Sequence, residues 1–247
     1  MPMHDWTRVE AGIFHAFHHG WINEIARVLN QGGLPTDYYA LPEQAAAGYG
    51  SDVLTLQDQR SDEDEPNGGG VATATLLQTR PQTRFMAESD TALYPRLKSA
   101  IAVRHVSDDR LVAWAEIVSP GNKAGRRPFQ EFINKACELL EHRIHPLIID
   151  PFPPGPRDPN GTHAAIWQEL QEDEFQLPAD KQLTLVAYEC DLITRAYIEP
   201  VAVGDVLPNM PLFLEPNGCV MVPLEATYQT AFAVLPGRWR RVLETPR

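Results

Sequence analysis

Three carboxylates stand in or beside short apolar runs, where an ionised group needs a reason to be. Glu43 follows the run YYAL at 38–41, Asp52 opens SDVLTLQ at 51–57, and Glu116 lies inside WAEIV at 114–118. A carboxylate taken out of water is costly unless it is paired or binds a cation, so such positions are functional candidates. Two that converge would suit Mg2+ (or Mn2+), a hard cation that takes oxygen ligands and keeps several waters. Such an ion would polarise a phosphoryl oxygen and lower the pKa of an attacking water, while a lysine would stabilise the developing negative charge. That is the chemistry of phosphodiester cleavage. The plainer alternative is that each acid caps a turn or pairs with an arginine.

Other side chains offer weaker signals. His15, His18 and His19 form H-x-x-H-H; His15 and His19 are one helical turn apart and could ligate zinc or another transition metal. No cysteine or third ligand stands at a diagnostic spacing, and the neighbours Phe14, Phe17 and Trp21 favour packing or a partner contact. His145, before Pro146, reads as structural. Lys123, Arg126 and Arg127 form a local basic cluster suited to phosphate contact, or equally a solvated turn. The glycines at 68–70 are not followed by the Lys-Ser/Thr pair of a phosphate loop, and no G-x-S-x-G occurs. Cys137, Cys190 and Cys219 are scattered and odd in number, which points to free buried thiols.

The elements that must position these groups follow from periodicity. Apolar residues at 14, 17, 21, 25 and 28 recur at steps of three and four, which predicts a helix over 13–29, ended by Gly32, Gly33 and Pro35. Strands are expected at 38–41 and 51–57, with an acidic, Gly-rich mobile loop at 58–70. Runs at 101–106 and 111–118, joined by Ser107-Asp108-Asp109-Arg110, predict a hairpin. A helix over 128–143, with Pro128 in its first turn, leads to a buried strand at 145–150 and then a Pro-rich loop. A second hairpin at 183–190 and 193–201 and a short helix at 224–235 complete the expected elements. The strand–helix–strand unit from 111 to 150 implies a right-handed crossover in a mixed sheet. The fold class is therefore α/β or α+β, divided into a core at 1–155 and a Pro-rich, hairpin-bearing extension at 156–247 packed on it.

Several segments, in order, carry a family resemblance. FHAFHHGWINEIARVLN, LPTDYYALPEQ, SDVLTL, WAEIVSPGNK, FQEFINKACELL and HPLIIDP are similar to a bacterial domain-of-unknown-function family, number 4058. The middle section of that family resembles the Uma-type branch of the PD-(D/E)XK nuclease-like fold, a mixed sheet flanked by helices. The resemblance implies a metal-binding Asp at Asp52, with Ser51 in place of the usual proline, and a metal-binding Glu at Glu116, ahead of Ser119-Pro120. The usual lysine, two residues after the Glu, is replaced here by Val118. The Uma-type arrangement moves the lysine to the next helix, where Lys135 stands; Lys123, at the end of the turn, is the second candidate. Glu43 would assist as a further metal ligand.

The function these residues point to is a Mg2+-dependent nuclease on this fold, or a catalytically inactive binding or assembly module that kept the sheet. A metalloprotein built on the first-helix histidines is a third reading. The 33 acids outnumber 21 bases, giving a formal charge of −12, which works against nucleic-acid binding unless a local basic patch or bound metal intervenes. No apolar run approaches the roughly 20 residues of a membrane span. The N-terminus lacks the order of a signal peptide, so a cytoplasmic protein, with a homo-oligomer left open, is expected.

Overall fold

The computed structural model describes residues 3–44, 99–171, 175–214 and 218–245. The strand expected at 51–57 and the loop at 58–70 lie outside the described residues. Helix α1 (Ala11–Val28) buries Phe14, Phe17, Trp21, Ile22 and Ile25, the face that the sequence spacing predicts. Its end is set by Gly32, whose φ of +107° is open to glycine and strained for other residues.

Six strands form one sheet in the order β1 (Tyr38–Gln44), β2 (Ser99–His105), β3 (Leu111–Ile117), β4 (His145–Asp150), β5 (Leu183–Cys190) and β6 (Thr194–Val201). Every neighbouring pair is antiparallel except β3 with β4, which is parallel. The chain makes that parallel step through α2 (Pro120–Lys123) and α3 (Arg126–Glu141), as parallel neighbours require a crossover. The second hairpin, β5 and β6, extends the main sheet: Leu147 of β4 faces Ala187 of β5. A separate two-stranded ribbon pairs β7 (Met210–Leu214) with β8 (Gly218–Val222).

Strand side chains alternate between two buried layers. On one face Ala113, Ala115, Ile117, Leu147, Ile149 and Leu185 pack with α1, the β7–β8 ribbon and α5 (Leu224–Ala233). On the other, Val118, Ile148, Val186 and Tyr188 pack under α3 and α4 (Gly161–Leu170). Strands covered on both faces read as continuous apolar runs, which is why LVAWAEI and HPLIID carry so little polar alternation. The stretch after β4, expected as loop alone, contains α4. A last helix, α6 (Gly237–Glu244), and the β7–β8 ribbon were also not expected. Among the described residues no helix is long and apolar enough to cross a membrane.

Candidate functional site

Alternation decides where the acid of β3 points. Trp114, Glu116 and Val118 face α3, and Glu116 is 4% exposed. On α3, Phe129, Phe132, Ile133, Ala136 and Leu140 fill the core, and Lys135 flanks that stripe. Its Nζ donates to Glu116 Oε2 at 2.6 Å, with the two side chains 14% and 6% exposed. Trp114 Nε1 donates to the same oxygen at 3.0 Å, and the Lys135 ammonium lies 4.2 Å from the centre of the Trp114 ring. A charge-assisted hydrogen bond and a cation–π contact thus offset the desolvation of both ions. Both donors converge on Oε2, and Oε1 has no hydrogen-bond partner among the described residues.

Lys123 belongs to a second ionic cluster at the same end of the parallel strand pair. The turn SPGNK forms α2, where Asn122 Oδ1 accepts from the Ser119 backbone N–H at 3.0 Å and from Ser119 Oγ at 2.6 Å. This local closure presents Lys123 to two carboxylates, Asp150 Oδ2 and Asp158 Oδ2, each 2.7 Å from Nζ. Asp150, at the end of β4, also accepts from Thr162 Oγ1 and from the Phe152 backbone N–H. Asp158 Oδ1 accepts from the Gly155 N–H at 2.9 Å. Burial works to lower the Lys123 pKa, but the two carboxylates outweigh it and hold the ammonium above its ordinary value. For Asp150 burial wins: its pKa is raised, although Lys123, Thr162 and Phe152 all pull it down.

Beside this cluster opens a cleft of about 270 Å3 lined by Thr7, Pro120, Lys123, Phe152, Pro153, Gly155, Pro156, Arg157 and Asp158. Arg157 closes its rim by donating to the Lys123 carbonyl at 3.1 Å. The cleft lies beyond the carboxyl ends of β3 and β4, the one parallel pair of the sheet.

The other expected site residues are placed separately. Glu43 faces Ala100 across β1 and β2, and Arg104 clamps it, with Nε 2.9 Å from Oε1 and the second nitrogen 3.2 Å from Oε2. Asp52 lies outside the described residues. Arg127 pairs with Glu131 at 2.9 Å and is 88% exposed, and Arg126 is exposed too, as a solvated turn would be. His15 and His19 touch through their Nε2 atoms, 3.0 Å apart. His18 turns inward, its Nε2 2.9 Å from the Ile117 carbonyl oxygen, and burial pushes its pKa down to about 4. The cysteines are free, but they are not uniformly buried: Cys219 is exposed and Cys137 half-buried. Burial pushes the Cys190 thiol up to about 12.

Sequence reasoning brought Glu116 together with Lys135 and missed Asp150, Asp158 and Thr162. A signal existed for Asp150: an acid ending a fully apolar strand, ahead of proline, fits the rule that singled out Glu116. Asp158, in the loop PFPPGPRD, is polar among polar residues and carries no such mark. Among the described residues no three or more His, Cys, Asp and Glu side chains converge as a ready metal-binding group. No family model, curated protein or solved structure matches the chain.

Proposed function

We propose that this chain is a PD-(D/E)XK-like phosphodiesterase that cleaves nucleic acid with Mg2+ or Mn2+. The observation that carries the reading is the 2.6 Å bond from Lys135 on the crossover helix to Glu116 on the preceding strand. It supplies the acid–lysine pair that the broken E-x-K pattern lacks at Val118. The donor chemistry suits the ion: Oε2 of Glu116 is held by Lys135 and Trp114, and Oε1, without a hydrogen-bond partner among the described residues, is the kind of oxygen a hard cation takes. Glu116 and Asp52 would hold the metal, with Glu43 assisting after release from Arg104. The metal would supply Lewis acidity and a more acidic water. Lys135 fixes the rotamer of Glu116 and carries the positive charge that a phosphorane-like transition state needs close by. Lys123, held by Asp150 and Asp158, anchors the SPGNK turn beside the site.

A second reading, an inactive binding or assembly module, is favoured by the fact that Glu43, Glu116 and Asp150 are each already partnered by a basic side chain. Titration of Mg2+ and Mn2+ into the purified protein, with cleavage assays on DNA and RNA, separates the two. The nuclease reading expects metal-dependent cleavage that falls at least a hundredfold in Glu116→Gln. Equal rates for Glu116→Gln and wild type, or no metal binding by either, would leave the module.

A further inference from the structure

The H-x-x-H-H motif of α1 takes no part in the chemistry above. His15 and His19 lie one turn apart, their rings near perpendicular at 80° with centroids 4.4 Å apart. Their Nε2 atoms are 3.0 Å apart, so in the metal-free protein one imidazole donates its N–H to the lone pair of the other. A cation replaces that shared proton once both nitrogens present lone pairs. With metal–nitrogen bonds of about 2.0–2.1 Å, two nitrogens at this separation subtend about 94° at the ion. Tetrahedral zinc asks for about 109°, hence a nitrogen–nitrogen distance of about 3.3 Å. Adjacent positions of a tetragonal ion ask for about 90°.

The third imidazole of the motif is turned away from the pair. His18 is 3% exposed and faces the Ile117 carbonyl through Nε2, which fixes its proton there and makes Nδ1 the lone-pair nitrogen. That Nδ1 is buried and has no hydrogen-bond partner, and the ring lies parallel to His15, 6.2 Å away at 11°. His18 thus faces the sheet and does not join the paired nitrogens in a three-ligand group among the described residues.

We propose that His15 and His19 form a site for a tetragonal late-transition-metal dication, Cu2+ or Ni2+, to which the described residues add no third His, Cys, Asp or Glu ligand. The site is separate from Glu116, and its fate does not depend on the nuclease reading.

The full chain, carried behind a His-free N-terminal extension so that the α-amino group cannot compete, is stripped with chelator. It is then titrated calorimetrically with Cu2+, Ni2+ and Zn2+. One equivalent of Cu2+ is expected to bind, more tightly than Ni2+, and Ni2+ more tightly than Zn2+. His15→Ala and His19→Ala should each weaken Cu2+ binding at least tenfold, while His142→Ala, at the residue that follows α3, leaves it unchanged. Both side chains sit at a half-exposed rim, so the metal-free variants should melt with wild type; His15→Gln and His19→Gln serve where an alanine variant does not fold. One equivalent of Cu2+ should also raise the melting temperature of wild type and not of the paired variant. Equal copper affinity in wild type and the His15/His19 double variant, zinc binding tighter than copper, or no copper-dependent rise in melting temperature would each overturn the proposal.

Discussion

Glu116 and Lys135 are a buried ion pair, and its energetics are lopsided. Assembled, such a pair contributes little beyond an apolar pair of the same volume, because both ions have lost their water. Broken from one side, it leaves an uncompensated charge in the core. Lys135→Met should therefore cost about 3–5 kcal/mol, and Glu116→Gln less, since the amide oxygen still accepts from Trp114 and Lys135. The double variant Glu116→Gln/Lys135→Met is expected to regain most of the loss, a coupling readable from urea unfolding of the four proteins. Additive losses would mean that the two groups do not share one interaction. Under the nuclease reading proposed above, the same double variant should fold and show no metal-dependent cleavage in the DNA and RNA assays.

Two helices are docked onto the sheet by neutral imidazoles. His18 ties α1 to the Ile117 carbonyl on β3, and His163 ties α4 to the Tyr188 hydroxyl on β5 through Nδ1, at 2.8 Å. Burial depresses each from 6.5 to about 4; for His18 the bond to Ile117 pulls the other way and does not win. Below pH 6.5 the unfolded chain takes up protons that the folded chain refuses, so stability is whole above that value and drains as pH falls toward 4. At 1.36 kcal/mol per unit, each histidine withdraws up to about 3 kcal/mol over that window. Urea midpoints measured from pH 7 to 5 should fall steeply for wild type and much less for His18→Gln/His163→Gln; parallel profiles would refute the assignment. These two helices also show what the sequence could reveal. The face of α1 is legible because Phe14, Phe17, Trp21 and Ile25 keep one period. In α4, GTHAAIWQEL buries Thr162 and His163 along with Ala164 and Ile166, so apolar periodicity is blurred by polar residues whose partners, Asp150 and Tyr188, come from distant strands. The same non-local cause hid the Lys123 cluster, since a loop aspartate shows its use only after β4 and α2 have brought it to the ammonium.

At the scale of the molecule, what matters is that the sheet does not stop where composition changes. The Pro-rich stretch from Pro151 onward looks like a boundary, yet β4 is bonded on one side to β3 and on the other to β5, and Asp150 is held by Lys123 from before the stretch and Thr162 from after it. Residues on both sides of position 155 also fill the same layer: Phe14 and Phe17 of α1 pack with Tyr228 and Phe232 of α5, and Trp21 Nε1 donates to Thr227 Oγ1 at 3.0 Å. Contacts of such length along the chain make unfolding of one part expose the core of the other, which is the physical basis of a single cooperative transition. Far-UV circular dichroism, near-UV circular dichroism and tryptophan fluorescence should therefore trace one coincident urea curve. A fragment ending at 155 would lose β5 and with it the pairing of β4, leaving a long apolar strand as an unprotected edge; it is expected to aggregate or to bind a hydrophobic dye. A soluble and cooperatively folded fragment would mean that the first 155 residues close a core of their own, and the β4–β5 ladder would then be a docking contact between two folding units.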